Sequence, residues 1–92
     1  MLLKALTDGS ITGTGTVEVA SGILGGILVT TDNSNQGTVI TRRANDVGKQ
    51  ISKIATATSI WIAGPLSLED STTLYYSISG TGCAAQLYEW IP

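Results

Sequence analysis

Few side chains in this 92-residue chain belong to types that do chemistry, and their spacing narrows what they could do. The single cysteine, Cys83, is a potential nucleophile, but the chain contains no histidine, the usual base that raises a thiolate at neutral pH. The same lack removes the commonest metal ligand. A small packed thiol is therefore the expected role of Cys83. Glu69 and Asp70 are adjacent carboxylates, but consecutive side chains of an extended segment point to opposite sides. They are expected to be solvated in a turn and not to form a general acid/base pair. No catalytic residue, cofactor site or metal site is expected.

Two segments imitate ligand loops. Gly80-Thr81-Gly82-Cys83-Ala84-Ala85 has the letters of a dinucleotide fingerprint, which requires a following helix and an acidic residue about 20 positions on. Only seven residues follow Ala85. A glycine-rich turn is the better reading. Asp32 to Gly37 begins like a calcium loop, with Asp first and Gly sixth, but Arg43 stands twelfth where a bidentate Glu is required. It reads as a solvated loop.

Two groups of residues remain as candidate binding elements. Arg42, Arg43, Lys49 and Lys53 are four of the five basic residues and fall within one predicted hairpin. Charge there guards an exposed edge against strand-to-strand association, or offers a docking surface to an acidic partner. Trp61, Trp90, Tyr75, Tyr76 and Tyr88 could form a stacking platform for sugars. In a chain without Phe, these five are also expected to supply the bulk of the core.

The elements that must position these residues are strands. Turn signals recur about every 8 to 12 residues with no helical window, the pattern of a small sandwich or barrel. The expected strands are Leu2 to Thr7, Ile11 to Val19, Ile23 to Thr31, Thr38 to Arg43, Lys49 to Ile54, Ser59 to Ala63 and two more after Thr72. Ile11, Gly13, Gly15, Val17 and Val19 alternate with Thr12, Thr14, Thr16 and Glu18, marking a half-buried strand. Its two inward glycines leave room for a bulky neighbour. Gly25-Gly26 implies a bulge or bend in the next strand. Thr38 to Arg43 is expected to return as the hairpin partner of that strand, and Gly64-Pro65 to stop the strand around Trp61. The fold class is all-β, an antiparallel β-sandwich or jelly-roll-like module of about eight short strands, in one domain, 1–92.

The last stretch is the most distinctive. Gly80-Thr81-Gly82 between two Tyr- and Leu-rich runs suits a hairpin with a three-residue loop. Pairing Ser79 with Cys83 puts Thr72, Leu74, Tyr76 and Ile78 on one face with Ala84, Gln86, Tyr88 and Trp90. The other face carries Thr73, Tyr75, Ser77 and Ser79 with Cys83, Ala85, Leu87 and Glu89. Apolar groups on both faces imply cover on both, by the core and by another subunit.

Composition bounds the partners. Charged residues make up 13% of the chain, where roughly a quarter is usual, so the surface is either kept soluble by hydroxyls or hidden in an assembly. A formal charge of -2 argues against nucleic acid. A lone cysteine makes no internal disulfide, so synthesis in a reducing cytoplasm is compatible. MLLKALTDGS is too short an apolar run for a signal peptide, and no segment nears the ~20 apolar residues of a membrane span. The expectation is a soluble, uncleaved chain with no membrane partner.

The segments SGILGGILVTTDNSNQGTVITRR (Ser21 to Arg43) and TTLYYSISGTGCAAQLYEWIP (Thr72 to Pro92) resemble small β-sandwich virion structural proteins of tailed bacteriophages. These are Thr/Gly/Ala-rich chains with a Gly-Gly apolar strand, a polar loop and a final SGTG turn. The resemblance covers about 45 residues well and rests on texture and turn placement. It implies a capsid decoration (cement) protein in the virion, a homo-oligomer with a trimer favoured, whose partner is the major capsid protein or another virion protein. On that implication Tyr75 and Leu87 would make subunit contacts, and Arg42 and Arg43 would dock. A tail, fibre or baseplate component and a small carbohydrate-binding module are the alternatives.

Overall fold

The computed structural model describes residues 2–92, so of the expected 1–92 domain only Met1 lies outside the described residues. Eight strands follow in order: β1 (Leu2–Ala5), β2 (Gly13–Val19), β3 (Ile23–Thr30), β4 (Gly37–Arg43), β5 (Gln50–Thr56), β6 (Ile60–Ser67), β7 (Thr72–Ser79) and β8 (Ala84–Ile91). They form two four-stranded sheets with orders β1-β8-β3-β6 and β2-β7-β4-β5, and every pairing is antiparallel. This is a jelly roll, a sandwich in which nearly every connection changes sheet. The all-β expectation holds, as does the number of strands.

The pairing expected at the C-terminus does not. Gly80 (φ 106°) and Gly82 (φ 73°) make a tight turn, closed by the Cys83 amide donating to the Gly80 carbonyl, 3.2 Å. That turn carries the chain from the β2-β7-β4-β5 sheet to the other one, so β7 and β8 are not hairpin partners. Thr72, Leu74 and Ile78 are buried on β7, and Cys83, Ala85, Leu87 and Glu89 are buried at and along β8. The inner side of β7 thus comes from one of the two faces read from the sequence and the inner side of β8 from the other, and these meet across the core, while Tyr88 and Trp90 fall on the outer face of their sheet. The β3–β4 hairpin is corrected in the same way, since these strands also lie in different sheets. Of the chain-adjacent strands, only β4 and β5 pair with each other.

The core lies between the sheets and consists of Val19, Leu24, Ile27, Val29, Val39, Leu68, Leu74, Ile78, Cys83, Ala85 and Leu87. It is aliphatic. The aromatics were expected to fill it, but only Tyr76 packs against it. Facing sheets stand about 10 Å apart, a gap that Val, Leu and Ile from both sides fill. Tyr76 takes the space left by Gly15, where a Cβ would lie 2.8 Å from the Tyr76 Cζ.

The register of β3 shifts between Leu24 and Gly26 against both neighbours, which places the expected bulge at Gly25. Gly64-Pro65, expected to end a strand, instead lies within β6 as a cis peptide. Because β6 is an edge strand, a residue without an N–H can be accommodated there.

Candidate functional site

Side chains alternate across each strand, so the residues between the buried ones form the outer faces of the sandwich. On the β1-β8-β3-β6 sheet, β1 presents Leu3 and Ala5, opposite Trp90 and Tyr88 of β8. β8 also presents Gln86 and Ala84, opposite Leu28 and Thr30 of β3, while Gly26 of β3 lies opposite Tyr88. β6 adds Trp61 opposite Leu28 and Ala63 opposite Gly26. None of these residues is charged. The two charged residues of this sheet, Lys4 and Glu89, stand opposite each other in the inward phase. Glu89 is buried, and its Oε1 accepts the Ser21 amide, 3.0 Å, which ties the β2–β3 turn to β8.

The neutral face is aromatic at its centre. Trp61 is 42% exposed and meets Tyr88 edge to face, with centroids 5.4 Å apart and planes at 80°. Its ring lies over Gly26, where a Cβ would come within 2.6 Å of Trp61 Cζ2. Leu3, 47% exposed, extends the apolar surface towards the β1 edge. Loss of charge together with enrichment in Trp and Tyr is the compositional mark of an interface core.

The outer face of the other sheet is different. Thr14, Thr16 and Glu18 of β2 lie beside Ser77, Tyr75 and Thr73 of β7. Tyr75 and Ser77 in turn lie beside Arg42 and Ile40 of β4, and Ile40 lies beside Lys53 of β5. This face is rich in hydroxyls, with two cations at one side and Glu18 at the other, where the Thr73 hydroxyl donates to Glu18 Oε1, 2.6 Å. Arg42 and Tyr75, both named from the sequence, are therefore direct cross-strand neighbours, and Arg42 donates to the Gly48 carbonyl, 3.2 Å.

The other two named residues are placed elsewhere. Arg43 points into the end of the sandwich, where it donates to Thr72 Oγ1 and to the Leu68 carbonyl, both at 3.0 Å. Two of its N–H donors are thereby engaged within the fold, where they hold the β6–β7 connection. Leu87 is fully buried in the core, which overturns its assignment to a subunit contact. Its phase on β8 is that of Ala85 and Glu89, and that phase faces the other sheet across the core.

The loop that imitates a calcium site is folded upon itself. Asp32 Oδ1 accepts the Ser34 and Asn35 amides at 2.9 and 2.8 Å, and Oδ2 accepts the Asn35 side-chain amide at 2.7 Å. These hydrogen bonds, those from Asn35 foremost, lower the Asp32 pKa below its usual value. Among the described residues, no group of three or more acidic, His or Cys side chains is placed to hold a metal.

Between the β5 and β6 edges the sheets splay into an apolar cleft of about 490 Å3, lined in part by Leu24, Ile27, Ile54, Ile60, Ile62 and Leu66. Ile60, Ile62 and Leu66 face inward yet remain 39–43% exposed, since the opposing β5 brings Ser52 and Thr56 to that position. The cleft can receive an aliphatic group. Among the described residues no helix is long and apolar enough to cross a membrane.

The neutral face was not identified from the sequence. Its signal was present in the phase Ala84, Gln86, Tyr88, Trp90, which lacks charge, but the complementary phase on β1, β3 and β6 becomes visible only once strand order is known. Comparison with protein-family models, with curated proteins and with solved structures finds no match to this chain.

Proposed function

We propose that this chain is a structural subunit of a tailed-bacteriophage virion, a head-decoration (cement) protein that seats on the capsid lattice and stabilises it by burying apolar surface. The observation that carries this reading is the neutral, aromatic outer face of β1, β8, β3 and β6. A jelly roll that leaves a whole sheet face without charge is built to be covered. Each 100 Å2 of apolar area covered contributes about 2.5 kcal/mol before the costs of association are subtracted. Contacts repeated over a lattice sum to a stabilisation of the shell. The resemblance of Ser21 to Arg43 and of Thr72 to Pro92 to such proteins supports the same setting. Arg42 and Lys53, flanking the Tyr75 side of the other sheet, supply the docking charges that meet an acidic partner.

Quantitative mass spectrometry and immunogold microscopy of purified virions test the proposal. Many copies over the heads, with occupancy reduced by Arg42→Glu/Lys53→Glu, are expected. Label confined to the tail would move the chain to a tail, fibre or baseplate role, and absence from particles would sink the virion reading. The Trp61–Tyr88 pair on an uncharged face also suits a sugar ring. A glycan array on which binding depends on Trp61 would favour a small carbohydrate-binding module instead.

A further inference from the structure

We infer that the cleft between the β5 and β6 edges is a binding site for a linear alkyl carboxylate, a fatty-acid-like amphiphile whose tail lies along β6 and whose head meets Lys53. The site is separate from the neutral outer face, and the inference does not depend on the virion reading.

The chemistry of the walls selects a tail. Leu24, Ile27, Ile54, Ile60, Ile62 and Leu66 line a cleft of about 490 Å3, within the ~300–1,000 Å3 of small-molecule sites. No aromatic and no acidic side chain takes part in the lining, so nothing there stacks on a ring or holds a cation. Its two hydroxyls are engaged within the fold. Ser52 Oγ lies 2.6 Å from Thr41 Oγ1, and Thr56 Oγ1 donates to the Thr58 carbonyl at 2.8 Å. A sugar therefore finds neither a stacking ring nor a hydroxyl aimed at it, whereas an aliphatic chain brings no polar group that needs a partner.

The shape selects a linear tail. Ile60 lies opposite Val29 and Leu66 opposite Leu24, so the inward side chains of β6 follow β3 for roughly 15 Å. Along that length Ile60, Ile62 and Leu66 stay 39–43% exposed although their strand phase faces the core. Methylenes laid over them remove that apolar surface from water.

The rim selects the head. Lys53 is the one charged residue of the lining, and it belongs to β5, an edge strand. Its phase is outward, opposite Ile40, so its long stem starts at the rim and carries the ammonium to the mouth of the cleft and not to its floor. A carboxylate at the mouth is paired there and stays hydrated, while the tail alone is buried.

A methyl-resolved NMR titration of the full chain with hexanoate, octanoate and decanoate tests the site. Shifts are expected at Leu24, Ile27, Ile54, Ile60, Ile62 and Leu66, with binding tightening by up to about fourfold per added methylene. For decanoate a Kd on the order of 0.1 mM is expected. Ile62→Ser should weaken decanoate at least ~10-fold. Lys53→Gln changes an exposed side chain without touching the core, and it should weaken octanoate about two- to fivefold while leaving 1-octanol unchanged. No shift at about 2 mM decanoate, affinity indifferent to chain length, or shifts centred on Leu3 and Leu28 of the outer face would overturn the site. Octanoate and 1-octanol bound alike, and both unaffected by Lys53→Gln, would overturn the carboxylate as its ligand.

Discussion

The guanidinium of Arg43 donates to the backbone carbonyl of Leu68 at 3.0 Å, joining the end of β4 to the connection between β6 and β7. Leu68 is buried, and its own amide donates to the Gly22 carbonyl, 2.7 Å, so three connections meet at this end of the sandwich. Adjacent in sequence, Arg42 and Arg43 therefore do different work. One faces solvent on a sheet, and the other closes the fold.

Replacing Arg43 with Met should lower the unfolding free energy by about 1.5–3 kcal/mol, the range for charge-assisted hydrogen bonds whose buried acceptor is left unpaired. Arg42→Met should stay within about 0.5 kcal/mol of wild type. Paired urea titrations check this. Equal losses at the two positions would mean that the Arg43 clamp is not formed in solution.

Leu87 and Tyr75 separate along the same line. Leu87→Ala empties a fully buried site between the sheets and should cost about 2–5 kcal/mol, while Tyr75→Ala, on the hydroxyl-rich outer face, should cost about 1 kcal/mol or less. Thermal unfolding of the two variants is sufficient to tell. A mild Leu87→Ala would contradict the inward phase of β8.

Gly26 is held small by the ring above it. A methyl group there meets Trp61 Cζ2 at 2.6 Å and the Ile62 carbonyl oxygen at 2.9 Å, and the carbonyl is backbone that cannot swing aside. Gly26→Ala should therefore destabilise by about 1–3 kcal/mol and change the fluorescence of Trp61 as its edge contact with Tyr88 is lost. Unchanged emission would place Trp61 elsewhere.

Burial pushes the Cys83 thiol above its usual pKa of 9.0, with an opposing pull from a backbone hydrogen bond at Thr38. The native protein should react with a disulfide reagent only as fast as it opens. Above about pH 9 the unfolded chain releases the thiol proton while the folded chain retains it. The unfolded state then binds fewer protons, and stability should fall as pH rises through that window. Labelling of the native protein at the rate of a free thiol would refute the buried placement.

A charge relationship at the other sheet completes the set. If Arg42 and Lys53 steer docking, raising ionic strength should slow capture of the protein by particles, and the slowing should vanish in Arg42→Glu/Lys53→Glu. Association rates measured at two salt concentrations provide the check.

Strand positions and the two alternating phases of each strand could be read from residue order alone, because alternation is a local property of an extended chain. Val17 and Val19 against Thr16 and Glu18, or Ala85 and Leu87 against Gln86 and Tyr88, mark the two sides of a strand wherever that strand is placed. The bulge at Gly25 was legible from the Gly25-Gly26 pair that interrupts the apolar run of β3. Strand pairing was not, because a partner is chosen by the whole set of buried faces and not by the turn between neighbours. Gly80-Thr81-Gly82 has the form of a hairpin turn, yet β7 and β8 each carry an apolar phase, and both phases are buried when the turn crosses between sheets. The crossing turned an expected two-sided hairpin into two walls of one core. It moved Leu87 inward and set Tyr88 and Trp90 beside Leu3 and Trp61 on a face without charge. Residue order determined which side chains share a face of each strand, and only the tertiary structure decided which strands share a sheet, because that choice depends on contacts between residues far apart in the chain.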